Sequence, residues 1–115
     1  MKAQDLRVGN YVEINGETYI LQDVGQFTVI AEQYKNPLTA GIFEYGLVKG
    51  IPLTEEWIIK LGLLQDEPGY YEIAPNVTIN IDNHIYSGRH HIREIKYVHQ
   101  LQNIIYDLTG KELEL

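Results

Sequence analysis

The stretch IKYVHQLQNIIYDLTGKEL, residues 95–113, decides the C-terminal part of the fold because its apolar residues recur at steps of three and four. Side chains at this spacing share one face of an α-helix. The apolar face consists of Tyr97, Val98, Leu101, Ile104, Ile105 and Leu108. The polar residues expected to face elsewhere are His99, Gln100, Gln102, Asn103 and Asp107. Gly110 is typical of a helix end, so we predict a helix over about residues 96–109 that packs on a sheet.

The opening stretch DLRVGNYVEINGETYILQDV, residues 5–24, predicts a β-hairpin. Polar and apolar residues alternate on both sides of Asn15-Gly16, and this dipeptide between two such runs is a strong hairpin signal. We expect strands over about residues 11–14 and 18–24, and a third in FTVIAE, residues 27–32. Asn36-Pro37 is a turn signal, and IFEYGLVKG, residues 42–50, suggests a short fourth strand.

The middle of the chain predicts a short helix followed by a second group of strands. In IPLTEEWIIKLGLL, residues 51–64, Thr54 suits a helix cap, Glu55 and Glu56 suit the first turn, and Gly62 suits the end. The runs YYEIA, VTINID and HIYSG then have strand character, separated by Pro75-Asn76 and Asp82-Asn83. Residues 66–69 are expected to form a polar turn, and SGRHHIREIK, residues 87–96, a solvated junction between strand and helix.

These elements predict one α+β domain over residues 1–115. It contains an N-terminal antiparallel β-meander or SH3-like partial barrel, a short middle helix, a second strand group, and a C-terminal helix packed on the sheet. A length of 115 residues with 44% apolar content suits a single core.

Two segments resemble parts of known proteins. IPLTEEWIIKLGL and IKYVHQLQNIIYDLTGKEL resemble segments of small uncharacterised proteins of gut-type anaerobic bacteria and their prophages, with YVHQLQN the more specific part. This resemblance implies a link to a mobile element and carries no activity or cofactor. The hairpin of residues 5–24 is also similar to the first hairpin of SH3-like small barrels, including some that bind RNA or ribosomal components. In such a barrel the loops would be the binding face.

The composition of the chain indicates which classes of partner and which cellular compartment to expect. Nine basic residues against 16 acidic ones give a net charge of −7, which repels phosphate backbones and therefore disfavours nucleic acid. The chain has no cysteine, which removes disulfides and thiolate chemistry. The start of the chain lacks the apolar run of a signal peptide, and no segment has the composition of a membrane span. We expect a soluble cytoplasmic protein with no membrane association.

The candidate binding residues lie in one basic cluster and one aromatic pair. The cluster consists of Arg89, His90, Arg93 and Lys96. Such cations with tyrosine nearby can hold single-stranded nucleic acid, although three permanent cations are few, and a solvated junction is the competing interpretation. Nine tyrosines are spread along the chain, and we expect Tyr70 and Tyr71 to be exposed beside the Pro68-Gly69 turn.

No pattern of catalytic or metal-binding residues emerges. His90 and His91 are adjacent and diverge in either a strand or a helix, so joint ligation of one ion is not expected. Glu55 and Glu56 invite an acid and base interpretation, but acids at a helix start are expected for dipole reasons alone. The sequence also lacks the GxSxG, P-loop and GxGxxG motifs. We therefore predict no metal, no cofactor and no enzymatic activity.

These observations favour a non-enzymatic binding or adaptor module with a protein partner, encoded by a prophage or another mobile element. Two alternatives remain open: a weak nucleic-acid-binding protein that uses the strip from Arg89 to Lys96, and an enzyme of unrecognised type. The apolar helix face or an exposed strand edge also allows a homodimer.

Overall fold

The fold is α+β, as predicted. The structure is a computed structural model, and it describes residues 5–115 except for the side chain of Pro37. Within these residues the chain forms ten strands and two α-helices, and all strand pairs are antiparallel. The chain divides into two compact units between Ile51 and Pro52. The expectation of a single domain over the whole chain stays a prediction.

The first unit is a five-stranded antiparallel sheet. Its elements are β1 (Tyr11–Ile14), β2 (Glu17–Val24), β3 (Thr28–Gln33), β4 (Asn36–Glu44), a 3-10 helix (Tyr45–Leu47) and β5 (Val48–Lys49). The strand order is β4-β3-β2-β1-β5, so the meander of the first four strands is followed by a strand that returns to β1. The predicted N-terminal meander is therefore present.

The first hairpin follows the predicted turn. Asn15 and Gly16 have φ angles of 54° and 81°, and both residues of a type I′ turn require positive φ. Strands β1 and β2 then bury alternate side chains in a core with β3 and β5. The core consists of Leu6, Val12, Ile14, Leu21, Val29, Ala31 and Val48.

The turn expected at Asn36-Pro37 lies two residues earlier. Tyr34 and Lys35 form the loop between β3 and β4, and Asn36 already pairs with Gln33. A proline is compatible with this place because β4 is the edge strand of the sheet and Pro37 lies near its start. The fourth strand is consequently longer than the sequence predicted.

The second unit contains both helices and a second five-stranded antiparallel sheet. Its elements are α1 (Glu55–Lys60), β6 (Gln65–Glu67), β7 (Tyr70–Ala74), β8 (Val77–Asn80), β9 (His84–Ser87), β10 (His90–Glu94) and α2 (Val98–Thr109). The strand order β10-β9-β8-β7-β6 is that of a simple meander. Thr54 caps α1, since its side chain accepts a hydrogen bond from the Trp57 backbone nitrogen.

Two strands of this sheet escaped the sequence analysis. Strand β6 includes Asp66 and Glu67, which were expected to form a turn, and β10 occupies the predicted junction after Ser87. These are the two edge strands of the sheet, and all their residues are exposed. A strand without a buried face has no alternation of apolar and polar residues, so its sequence gives no period of two.

Helix α2 ends at the predicted residue, but its buried face is rotated relative to the apolar face that the sequence predicted. The Gln100 side-chain oxygen accepts hydrogen bonds from the backbone nitrogens of Lys96 and Tyr97, at 2.7 and 3.0 Å, and Gly110 ends the helix with φ 73°. The expectation that His99 and Gln102 face away from the core is wrong, since both are buried. Leu108, placed on the apolar face, is 53% exposed.

The burial of Gln102 has a local cause. Its amide nitrogen donates to the Leu113 carbonyl at 3.2 Å, so the chain beyond the helix returns and covers this side. A buried amide that finds a hydrogen-bond partner avoids most of its desolvation cost. Periodicity alone could not place this contact, because the tail lies outside the helix.

Asn83 connects three segments of the second unit through hydrogen bonds. We therefore expect the loss of its side chain to destabilise this unit. Its backbone is left-handed, with φ 66°. Its side-chain nitrogen donates to the Leu53 carbonyl at 3.0 Å, and its own carbonyl accepts from the Ile95 nitrogen at 3.0 Å.

We predict that Asn83→Ala lowers the free energy of unfolding by about 2 kcal/mol, because it removes one partly buried hydrogen bond and puts alanine in a left-handed conformation that asparagine tolerates better. Asn83→Gly removes the same hydrogen bond without the backbone penalty and should lose less. Urea unfolding with an unchanged m value measures both differences. Equal stability of the alanine variant and the native protein would contradict this role.

Candidate binding site on the second sheet

The two faces of the second sheet differ in burial, because successive side chains of each strand point to opposite faces. In β7, Tyr71 and Ile73 are buried, while Tyr70 and Glu72 are exposed. Helix α2 contacts β7, and the buried positions of β8 and β9, Ile79 and Ile85, continue the covered face. We call the opposite side, which carries Tyr70 and Glu72, the outer face.

Four rings form a continuous row across the outer face, and we call them the aromatic row. Tyr70 and Tyr86 have ring centroids 6.2 Å apart, Tyr86 and His91 are 5.4 Å apart, and His91 and His84 are 5.0 Å apart. Strand register produces this row, since Tyr86 pairs with His91 across β9 and β10. The rings are inclined to one another by 51–67°, and aromatic pairs at such angles and distances stabilise one another.

A polar groove of about 670 Å³ runs beside the aromatic row, and we call it the outer groove. Its lining residues are Asp66, Glu67, Tyr70, Glu72, Asn76, Thr78, Tyr86, Gly88 and Arg89. Three carboxylates therefore face one guanidinium, and within residues 5–115 no salt bridge joins Arg89 to any of them. Charges left without partners at an open groove are available to a bound molecule.

The imidazole end of the aromatic row is linked to a carboxylate. His84 Nε2 lies 3.2 Å from Glu94 Oε2, and His84 Nδ1 lies 2.9 Å from His91 Nε2. When both rings are neutral, His84 donates to Glu94 through Nε2, so its Nδ1 accepts from the Nε2 hydrogen of His91. This chain of contacts orients both rings and connects β10 to β9.

The structure separates the predicted basic strip. Arg89 lines the outer groove. Arg93 instead lines a second, apolar groove beside α2, together with Ile92 and Leu108. His90 and Lys96 are exposed elsewhere on the strand and beyond it. The four residues therefore do not form one continuous cationic surface, because the pairing of β10 with β9 shifts between His91 and Arg93, and Arg93 pairs with Ile85 of the covered face.

Tyr70 and Tyr71 also separate, and the expectation that both are exposed is wrong for Tyr71. Tyr70 is exposed and belongs to the aromatic row, whereas Tyr71 is buried at 5% exposure. The Tyr71 hydroxyl donates to Glu55 Oε2 at 2.8 Å, which ties β7 to α1. This hydrogen bond, followed by burial and the charge of Glu55, raises the pKa of Tyr71 above its ordinary value.

The acid pair at the start of α1 has structural contacts of its own. Glu55 accepts the Tyr71 hydroxyl, and Glu56 forms an ion pair with Lys60 at 3.2 Å, one helical turn away. These structural contacts explain the presence of both carboxylates, so a catalytic role is not needed to explain them.

Tyr86 was considered only as a stacking residue near the basic cluster. The residues of the outer face that the sequence analysis left out of its candidate site are Asp66, Glu67, Glu72, His84, His91 and Glu94. Each is ordinary in sequence, and only strand register brings them together. One signal was present: the adjacent strands HIYSG and HHIRE both carry histidine, and a short hairpin between them would place these rings side by side.

Residues 5–115 contain no group of three or more His, Asp or Glu side chains that could hold a metal ion. In the same residues, no helix has the length and apolar character needed to cross a membrane. Comparison with protein-family models, curated proteins and solved structures finds no match.

The Tyr71 hydrogen bond predicts a pH effect. We expect Tyr71 to ionise at a pH above the usual tyrosine range, so Tyr71→Phe should remove its late step from an ultraviolet titration. Glu55→Gln should lower the pKa of Tyr71, whereas Glu56→Gln should leave the late step in place. Because the pKa is raised in the folded state, its stabilising effect is present below the ordinary tyrosine pKa and is lost as pH rises through the higher value. A late step that persists in Tyr71→Phe would contradict the assignment.

The contacts of His84 and His91 predict defined tautomers. Nitrogen-15 NMR should show neutral His84 with its hydrogen on Nε2 and neutral His91 also with its hydrogen on Nε2. Glu94→Ala should remove the preference at His84, and Tyr70→Ala, at the far end of the aromatic row, should leave it unchanged. A mixture of tautomers in the native protein would show that the hydrogen-bonded chain does not persist in solution.

Proposed function

We propose that the chain is a non-enzymatic binding module whose outer groove takes a segment of a partner protein that presents lysine or arginine side chains. The observation that carries this proposal is the lining of the groove, in which Asp66, Glu67 and Glu72 lie beside two tyrosine rings. A partner cation can meet a carboxylate and a tyrosine face together, and both contacts favour lysine or arginine.

The charge of the whole chain supports a basic partner. A net charge of −7 attracts cationic segments over a distance of about 10 Å at ordinary ionic strength. Tyrosine is enriched at protein interfaces because its ring gives contact area while its hydroxyl tolerates water. The groove also lies across several strands, which suits an extended segment better than a small compact molecule.

The nucleic-acid alternative has weaker support. Arg89 and Arg93 line different grooves, so only one of them can join a ligand held on the outer face. The aromatic row could stack bases, but the three carboxylates beside it would repel the phosphates. The alternative of an enzyme of unrecognised type has no supporting group beyond the hydrogen-bonded histidines.

The first unit supports a further part of the proposal, namely an SH3-like partial barrel. Strand β5 returns to pair with β1, and a 3-10 helix precedes it, so the sheet turns back toward its own beginning. A small barrel requires such a return. The resemblance of residues 51–63 and 95–113 to prophage proteins further supports a cytoplasmic protein encoded by a mobile element.

The test is a titration of the full chain with three synthetic peptides of equal length, one rich in lysine and arginine, one rich in acids and one uncharged. Backbone NMR signals should shift for Tyr70, Glu72 and Tyr86 only with the basic peptide. The double variant Asp66→Asn with Glu72→Gln should weaken this binding about tenfold, as expected for the loss of two ion pairs assisted by aromatic contacts.

A matched control removes the same two charges elsewhere. Glu17→Gln with Asp23→Asn neutralises exposed acids of β2 in the first unit and should leave the affinity nearly unchanged. Equal loss in both double variants would show that net charge and not the groove attracts the peptide. Tighter binding of a single-stranded oligonucleotide, abolished by Arg89→Ala with Arg93→Ala, would favour the nucleic-acid alternative instead.

A further inference from the structure

Strand pairing brings two histidines of the second sheet into direct contact. His84 lies on β9 and His91 on β10, and His84 Nδ1 is 2.9 Å from His91 Nε2. One hydrogen lies between two such nitrogens, and each of them can instead donate its lone pair to a metal ion, because neutral imidazole binds metals through either ring nitrogen. This pair differs from the adjacent His90 and His91, whose rings were not expected to share an ion.

An irregularity in β10 places these groups on one face of the sheet. His91 pairs with Tyr86, and Glu94 pairs with His84, so three steps along β10 match two steps along β9. The extra residue is Ile92. In a regular strand, His91 and Glu94 would point to opposite faces because they are three residues apart. The irregularity removes this difference, as expected of a β-bulge, which often re-aims a side chain beside a functional site.

The two nitrogens have a separation that suits a shared ion. Imidazole nitrogens bind zinc at about 2.0–2.1 Å. Two of them on one ion, with an angle of about 90–110° between the bonds, therefore lie roughly 2.8–3.4 Å apart. The distance of 2.9 Å between His84 Nδ1 and His91 Nε2 falls in this range, so an ion can take the place of the shared hydrogen when the rings tilt toward it.

The other nitrogen of His84 has the kind of partner that metal-binding histidines use. His84 Nε2 lies 3.2 Å from Glu94 Oε2. A metal-binding histidine commonly donates its second N–H to a carboxylate, which fixes the ring and makes the metal-bound nitrogen a better electron donor. Glu94 thereby holds His84 in the tautomer whose Nδ1 carries the lone pair.

We propose that His84 Nδ1 and His91 Nε2 together bind a divalent first-row transition-metal ion such as Zn²⁺. Water completes the coordination, because no group of three His, Asp or Glu side chains that could hold an ion occurs in the described part of the chain. The site is therefore an exchangeable one with open positions, unlike a closed structural zinc site. Imidazole nitrogen favours zinc, copper and nickel over magnesium and calcium, which prefer oxygen.

The surroundings admit and attract a cation. The side chains of His84 and Glu94 are 33% and 50% exposed, so an ion can reach the pair from solvent. The net charge of −7 raises the local concentration of cations near the chain. This inference does not rest on the proposed function, because neither histidine nor Glu94 lines the outer groove.

Calorimetric titration of the full chain with zinc chloride, in a buffer that does not bind zinc, tests the site. The native chain should bind Zn²⁺ at one saturable site and should show no binding of Mg²⁺ over the same concentrations. His84→Ala and His91→Ala should each weaken zinc binding at least tenfold. Glu94→Gln should weaken it about tenfold, the usual effect of losing such a carboxylate partner. His90→Ala is the matched control, since His90 is also exposed on β10 but pairs with Ser87, and it should leave the affinity unchanged.

Nitrogen-15 NMR of the native chain gives a second test that needs no variant. Without metal, His91 carries its hydrogen on Nε2, which points to His84. Zinc at this nitrogen should move the neutral ring of His91 to the tautomer with its hydrogen on Nδ1. His84 should keep its hydrogen on Nε2, where Glu94 accepts it. Only one of the two rings therefore changes tautomer as zinc is added.

Absence of zinc binding by the native chain would overturn the proposal. Zinc binding that leaves the tautomer of His91 unchanged would overturn it too, because the ion would then lie elsewhere. Equal weakening by His90→Ala and His91→Ala, or equal binding of Mg²⁺, would show a diffuse attraction of cations instead of a site. None of these outcomes bears on peptide binding at the outer groove.

Discussion

The packing of α2 against one face of the second sheet is the constraint on which the outer face depends. Residues such as Ile79 and Ile85 must point toward the covered side, and strand alternation then directs their neighbours to the other side. Thr78 and Tyr86 therefore face the outer side, where both are half-buried, by the same geometry that buries the core. A shift of register by one residue would reverse both faces, so the buried face holds the outer groove in place.

The sequence predicts this architecture well wherever turns and buried faces coincide. Asn15-Gly16 defines the first hairpin because both residues accept positive φ, and Gly110 defines the end of α2 for the same reason. The edge strands β6 and β10 could not be predicted in this way, since hydrogen bonding to a neighbour and not burial makes them strands. His99 and Gln102 could not be placed for a related reason. The periodicity of a helix shows which residues form its apolar face, but it does not show which other segments cover the residues beside that face.

The candidate site was less predictable than the fold for a physical reason. Tyr70, Tyr86 and His91 come from β7, β9 and β10, and their contact follows from the register of four strands. The basic cluster, by contrast, was compact in sequence, but Arg89 and Arg93 line different grooves because the pairing of β10 with β9 shifts between His91 and Arg93. Proximity along the chain is thus a poor guide to a site on a sheet, whereas positions of equal parity on paired strands are a better one.

The charged lining of the outer groove has a consequence for specificity. The outer groove offers charges without partners, so binding there weakens as salt rises. The tyrosine rings of the groove carry no charge, so their contact with a bound segment depends much less on salt. The salt dependence of binding therefore reports how much of the affinity comes from the carboxylates of the groove and how much from its rings.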